Sequence, residues 1–277
     1  MIRLAVIGAK AVRWQELTPR LRGVTLGAWL AHAELHTIDG AVFFGPPWTD
    51  VERFLGEGKH VLLSADAGWS KEILQSLAEI AQKTNTRFVI ANPERYLPSR
   101  RLIRQQLDAG KLGEPGLIRL HRWAPAAHDG SALRDLDLVM WYFGKPPNLV
   151  YAVGHVVHLG FPGGGMALLD HAVVPGDRYD SLSVICSSGA AYADDHQNMQ
   201  LIFRGGSTAA FRTEEGIQHW SALVQDFIDS IVGPKSDPFM KTAGLESYPT
   251  WPVVLTVSEA VHQSLRTKQA VVPEGAP

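Results

Sequence analysis

Residues 58–120 read GKHVLLSADAGWSKEILQSLAEIAQKTNTRFVIANPERYLPSRRLIRQQLDAGKLGEPGLIRL. This stretch decides the fold because it alternates short apolar runs with helical segments. HVLLSA (60–65) and RFVIAN (87–92) are continuous apolar runs, as strands buried on both faces of a parallel sheet require. Between them Ser70 is an N-cap residue type, and Ile73, Leu74, Leu77, Ile80 and Ala81 fall on one helical face. A second helix is predicted over roughly 98–109, ending at Gly110, which readily takes the left-handed conformation of a helix stop.

Towards the N-terminus, LAVIG (4–8), TLGAWL (25–30) and AVFFG (41–45) continue the pattern, and LIRLHRW (117–123) extends it. Strands alternating with helices in this way predict a doubly wound α/β sheet. After about residue 123 the character changes. A short helix near 134–143 stops at Gly144, ahead of Pro146-Pro147. LVYAVGHVVH (149–158), MALLDHAVV (166–174), SLSVIC (181–186) and MQLIFRGGSTAAFR (199–212) read as strands, the last as a hairpin turning at Gly205-Gly206. Alternation here predicts a sheet with one exposed face. Helices near 217–232 and 252–266 follow, with Val224, Phe227 and Ile228 on one stripe and Val254, Val257 and Val261 on the other. The expected division is an α/β domain over 1–120 and an α+β domain over 121–277.

The chain has 277 residues, room for two modest domains. Its hydrophobic share of 45% and charged share of 19% are ordinary for a globular protein. A net charge of −2 gives no reason to expect nucleic acid or an anionic membrane. The single cysteine, Cys186, excludes a disulfide scaffold. MIRLAVIGAK is too short an apolar run for a signal peptide, and no stretch approaches the ~18 apolar residues of a membrane span. The expected location is cytoplasmic.

Several patches together resemble the glucose–fructose oxidoreductase/inositol dehydrogenase (Gfo/Idh/MocA) family. MIRLAVIGAK is similar to its first strand and phosphate loop. GAVFFGPPWTDVERFLGEGKHVLL is similar to its third strand, proline-containing loop, helix and fourth strand. IANPERYLPSRRLIRQQLDAGKLGEP resembles its fifth strand, asparagine-containing loop and helix. RDLDLVMWYFG resembles the helix that carries the family's active-site histidine, and LVQDFIDSI and VSEAVHQSLRTKQAVV its last two helices and closing strand. The resemblance implies an N-terminal Rossmann domain for NAD or NADP and a C-terminal open, mostly antiparallel sheet. It also implies a sugar or polyol substrate and a homo-oligomer formed through that sheet.

The residues that would do the family's chemistry are replaced. A Rossmann phosphate loop uses glycines for a tight turn and close approach to pyrophosphate. Here Gly8 is kept, but Ala9, Lys10 and Ala11 follow, with Arg13 at the third glycine position. Ala31 stands where an acid would bind the ribose, and His32 follows it. On the resemblance, Gly8, Ala9, Lys10, Ala11, Pro46, Pro47 and Asn92 are the candidate cofactor contacts. The family's lysine position is Ala65, beside Asp66. Its aspartate and histidine positions are Gly130 and Arg134, and only the second aspartate, Asp137, survives. Guanidinium stays protonated and cannot act as a base, so Arg134 either holds an anionic group or pairs with Asp135 or Asp137. Losing a positioned acid–base group removes ~10²–10⁴ in rate.

Arg134, Asp137 and Tyr96 are the candidate catalytic residues, with His121, His128 and Asp129 as further loop or strand-end polar groups. His155 and His158, three apart on one predicted strand, face opposite sides and do not converge on a metal. His171 beside Asp170 lacks further ligands, so no metal is expected. Arg100, Arg101 and Arg104 read as a solvated helix face. The sequence leaves three readings open. The first is a divergent oxidoreductase. The second is a non-catalytic binding or assembly protein on the same scaffold. The third is a lyase or isomerase that keeps the cofactor.

Overall fold

In a computed structural model the described residues are 1–7, 14–28, 35–43, 49–64, 70–125, 131–194, 196, 198–206, 208–212, 217–233 and 250–275. The helices, in chain order, are α1 (Trp14–Leu17), α2 (Thr49–Gly56), α3 (Lys71–Lys83), α4 (Pro98–Asp108), α5 (Ser131–Phe143), α6 (Gln218–Val232) and α7 (Trp251–Thr267). The chain forms two compact units. Residues 1–97 and 216–246 make the first, 98–215 and 247–277 the second. The sequence reading set a single boundary near 120. The structure instead assigns α4 to the second unit and returns α6 to the first, where it packs on the 3-10 turn Pro93–Tyr96.

In the first unit β1 (Ile2–Ile7), β2 (Val24–Ala28), β3 (Gly40–Phe43), β4 (His60–Ser64) and β5 (Phe88–Ala91) form one parallel sheet in the order β2-β1-β3-β4-β5. β3 and residues 61–63 of β4 are buried on both faces, as the continuous apolar runs predicted, while Arg3 of β1 and Thr25 of β2 are exposed. Phe54 of α2 meets Phe43 of β3 edge-on at 5.5 Å. Ser70 caps α3, its hydroxyl accepting from the Ile73 amide at 3.3 Å. Ile73 itself is 48% exposed, unlike the expectation, because α3 buries the narrower stripe of Leu74, Leu77 and Ala81.

The second unit is built on an eight-stranded sheet. Its strands are β6 (Pro115–Trp123), β7 (Leu149–Val153), β8 (Val156–Gly160), β9 (Met166–Asp170), β10 (Tyr179–Cys186), β11 (Gly189–Asp194), β12 (Asn198–Phe203) and β13 (Ala209–Arg212). The order is β13-β12-β11-β10-β6-β9-β8-β7, antiparallel except for β6 beside β9. β6 therefore does not extend the first sheet. Its alternation, with Ile118, Leu120 and Arg122 buried and Arg119 and Trp123 exposed, is that of a strand covered on one side. LVYAVGHVVH is not one strand but the β7–β8 hairpin, turning at Gly154-His155 with Gly154 at φ +59°. β11 carries a weak sequence signal, since Tyr192 is the one large residue of GAAYAD, although Ala191 and Ala193 point inward.

Helices α5 and α7 pack together, α5 on β6 and α7 on β7. Gly110 and Gly144, both at φ +67°, end α4 and α5 as expected. The outer face carries Trp123, Leu149, Tyr151, Val153, Met166, Tyr179, Ile185, Tyr192 and Ile202 exposed. At the β7 edge, Val150 and Val271 exchange two backbone hydrogen bonds of 2.8 Å, and the Ala152 amide donates to Ser264 Oγ at 2.9 Å. Arg100 and Arg101 are buried, so the basic cluster on α4 is not a solvated face. Arg104 donates to Trp141 and Tyr142 carbonyls and to Asp108 Oδ1. Among the described residues no helix is long and apolar enough to cross a membrane.

Candidate functional site

In the first sheet, β2 and β3 flank β1 on opposite sides, so the chain reverses its direction of travel across the sheet at β1. Such a reversal opens a crevice at the carboxyl ends of the strands, where doubly wound sheets bind ligands. The segments that follow those ends hold Gly8, Ala9, Lys10, Ala11, Arg13, Ala31, His32, Pro46, Pro47, Ala65 and Asp66, all outside the described residues. Asn92, directly after β5, is described and buried. Its Oδ1 accepts from the Glu94 amide at 3.0 Å and so caps the following 3-10 turn. Tyr96, at the end of that turn, is also buried, and its hydroxyl donates to Asp226 Oδ2 on α6 at 2.6 Å.

The second unit holds a buried polar network under the inner face of its sheet. Asp135, at the start of the second turn of α5, is fully buried. Arg122, from β6, grips it with Nε at 2.7 and 2.9 Å and Nη2 at 2.6 Å, the forked geometry a guanidinium offers a carboxylate. The remaining arm, Nη1, reaches Asp180 Oδ2 of β10 at 3.3 Å, and Arg178 donates to the same oxygen through Nε at 2.8 Å. His171, the residue after β9, places Nε2 2.8 Å from Asp135 Oδ2. Burial alone would raise the Asp135 carboxyl. The Arg122 charge and the hydrogen bonds from His171 and Arg122 outweigh it and hold Asp135 far below the usual carboxylate range.

A second carboxylate serves the outer face. Asp170, the neighbour of His171 in sequence, takes His121 Nδ1 at 2.8 Å and Trp123 Nε1 at 3.0 Å on Oδ2, while its Oδ1 faces His155 Nε2 at 3.5 Å. The strand alternation thus sends adjacent residues to different clusters. The Asp135 carboxylate, one of the two partners expected for Arg134, is engaged by Arg122 and His171. Arg134 is half-buried on α5 and Asp137 is buried three residues on. His128, Asp129 and Gly130 lie outside the described residues. His155 sits in a turn and His158 on β8, not on one strand. Among the described residues no three His, Cys, Asp or Glu side chains are placed to share a metal. Burial, with Glu114 nearby, pushes the Cys186 thiol up to about 11, so it is protonated at neutral pH and is no nucleophile.

No family model matches the chain. An inositol 2-dehydrogenase of Rhizobium meliloti is 23% identical over 168 residues, 55% of this chain and 48% of that protein, so the match spans about half the relative's length. Among solved structures, an oxidoreductase from Agrobacterium radiobacter, in complex with NAD+, L-tartaric acid and magnesium, aligns with a TM-score of 0.77 at 11% identity, covering 98% of each chain. An aldose-aldose oxidoreductase from Caulobacter crescentus, complexed with glycerol, aligns at 0.77 and 14% identity, covering 98% of this chain and 99% of that one. The myo-inositol 2-dehydrogenase of Lactobacillus plantarum gives 0.73 at 17%, covering 99% of each.

The chain has the fold of these oxidoreductases. The resemblance to the Gfo/Idh/MocA family is borne out as a likeness of fold over nearly the whole chain, with both sheets included. Sequence reasoning missed the Arg122–Asp135–His171–Asp180 network. Its signal was present in two strands: Arg122 shares a face with Ile118 and Leu120, and Asp180 with Leu182 and Val184. A charge at an inward strand position must find a partner.

Proposed function

We propose that this chain is an NAD(P)-dependent oxidoreductase acting on a sugar- or polyol-type substrate. The observation that carries the reading is the whole-length likeness of fold to an oxidoreductase bound to NAD+, together with the sheet reversal at β1. That reversal offers the kind of crevice a dinucleotide takes. The residues that would hold the cofactor are Gly8, Ala9, Lys10 and Ala11 for the pyrophosphate, with Pro46, Pro47 and Asn92 alongside. The nicotinamide group, when bound, supplies the hydride acceptor or donor. Lys10 contributes charge in place of the missing glycine. Arg134 and Asp137 on α5, with Tyr96, are the candidate groups for substrate.

A second reading is a non-catalytic binding or assembly protein on the same scaffold. It is favoured by Ala65, Gly130 and Arg134 at the positions where the family carries lysine, aspartate and histidine. Titrating the purified protein with NADH and NADPH, read by fluorescence and by melting temperature, separates the two. Saturable binding is expected, with stabilisation of about 2.7 kcal/mol at a hundredfold excess over Kd. No response at millimolar cofactor overturns the redox reading and leaves the scaffold reading.

The chain is further proposed to be a cytoplasmic homo-oligomer joined through the outer face of the eight-stranded sheet. The support is the run of exposed apolar side chains there, from Leu149 and Tyr151 across to Ile185 and Ile202, larger than scattered surface residues require. A monomer in sedimentation at working concentration would exclude it.

A further inference from the structure

We propose that acid takes the outer-face interface apart. His121, His155, His158 and His196 charge that face as the pH falls, and two copies of the chain meeting through it separate. The inference rests on the homo-oligomer reading above and adds the regulation of that same surface.

The strand register lays the outer face out in transverse rows. One row is apolar and holds Leu149, Met166, Leu117, Ile185 and Ile202. The next carries His158, Arg119 and Tyr192. The third is polar and runs Asp170, His121, Ser181, Asp194, Asn198, Arg212. His155 joins that row from the β7–β8 turn, its Nε2 3.5 Å from Asp170 Oδ1. His196 lies beside Tyr179, ring centres 6.3 Å apart. All of these residues are exposed or half-buried. Eight strands of about five residues, spaced ~4.8 Å apart, cover roughly 600 Å² before side-chain relief is added. A stable protein interface takes ~800 Å² from each partner, so a second copy of this face is an occupant of matching size.

With its histidines neutral the face is balanced. Arg119 and Arg212 oppose Asp170 and Asp194. Asp170 takes His121 Nδ1 at 2.8 Å, and Asp194 takes the His196 amide at 3.0 Å and the Asn198 side chain at 3.2 Å. Arg178 is drawn to Asp180, while Asp177 and Arg204 stand in flanking turns, one of each sign. Tyr151, Tyr179 and Tyr192 add phenols, a group that titrates only at alkaline pH.

Histidine changes charge between about pH 5 and 8. Asp170 meets both His121 and His155 and can offset one of their two protons. The cross-strand neighbours of His158 are Tyr151 and Leu168, which offset nothing, and Arg119 on the far side of Leu168 adds like charge. The face therefore passes from balanced to strongly positive. Two copies related by a twofold axis present the same patch to each other, so every proton taken up is repeated across the interface. Like charges brought together there oppose association. Linkage fixes the sign: separated copies bind protons better than joined ones, so association is complete above the histidine range and is lost as pH falls through it.

Sedimentation equilibrium from pH 8 to pH 6 tests this on wild type and on the double variant His155→Gln, His158→Gln. That variant removes two titrating groups and leaves the His121–Asp170 bond in place. The wild-type dissociation constant should rise at least about tenfold over that span, and the rise in the double variant should be at least about threefold smaller. Affinity of the variant at pH 8 should match wild type, and circular dichroism should be the same at both ends of the range. A wild-type constant that stays flat overturns the pH response and leaves the interface reading standing. An equal rise in the double variant places the protons elsewhere and overturns it too. So does loss of secondary structure by pH 6, or a double variant that no longer associates at pH 8. A wild type that is monomeric at every pH overturns the interface reading and the pH response with it.

Discussion

Asp135 and Asp170 make an informative pair. Each is a carboxylate that takes a histidine at 2.8 Å in the same unit, one beneath the inner face of the sheet and one on the outer face. They differ in what else surrounds them. Asp135 has a forked guanidinium and no solvent. Asp170 has an indole, a second histidine, and solvent at its margin. Similar contacts therefore carry different energies. A buried ion pair has given up its hydration, so removing one partner strands the other. A partly hydrated cluster lets water replace what is lost.

The sharpest way to break this comparison is truncation. Asp135→Ala should cost about 3–5 kcal/mol, because buried Arg122 loses the carboxylate its fork grips and meets Asp180 through one arm at 3.3 Å. Urea unfolding of the variant checks it, and a loss no greater than that of Asp170→Ala would erase the distinction. The next effect is on acid stability. The folded Asp135 carboxyl lies far below its unfolded value of about 3.9. Its contribution is therefore complete above that value and lost as pH falls below it towards the folded one. Asp135→Asn should flatten the decline in unfolding free energy below about pH 4, and an unchanged slope would assign that decline to other carboxylates. Tyr96→Phe, which removes the buried hydroxyl that donates to Asp226, should cost about 0.5–1.5 kcal/mol in the first unit. Asp170→Asn comes last at about 1 kcal/mol, seen as a small shift in melting temperature. A loss rivalling that of Asp135 would mean the outer cluster is as dry as the inner one.

The same pair explains how much was legible in the sequence. Continuous apolar runs marked β1 to β5, and the hairpin at Gly205-Gly206 followed from turn chemistry, since both are local signals. Alternation is visible in LIRLHRW too, but its place at the end of the strand–helix series points to the first sheet, where Arg122 does not stand out as an inward charge. Partner choice was out of reach because the network joins residues 13, 36 and 58 positions apart, and no local period reports such closures. The return of α6 to the first unit has the same cause. Its stripe of Leu223, Val224, Phe227 and Ile228 announces a buried face without naming what covers it. For the candidate cofactor contacts, Asn92 is placed by the structure while Gly8, Lys10 and Pro46 lie in segments it does not describe.

The bonds that Val150 and Ala152 make with Val271 and Ser264 reach beyond local order. A strand at the rim of a sheet is a template on which another chain can grow. Here the rim of β7 is already occupied by the chain's own later residues, as a finished hem occupies the edge of cloth. Ribbon-like polymerisation from that side is blocked, and a neighbour approaching β7 meets side chains and not vacant amides.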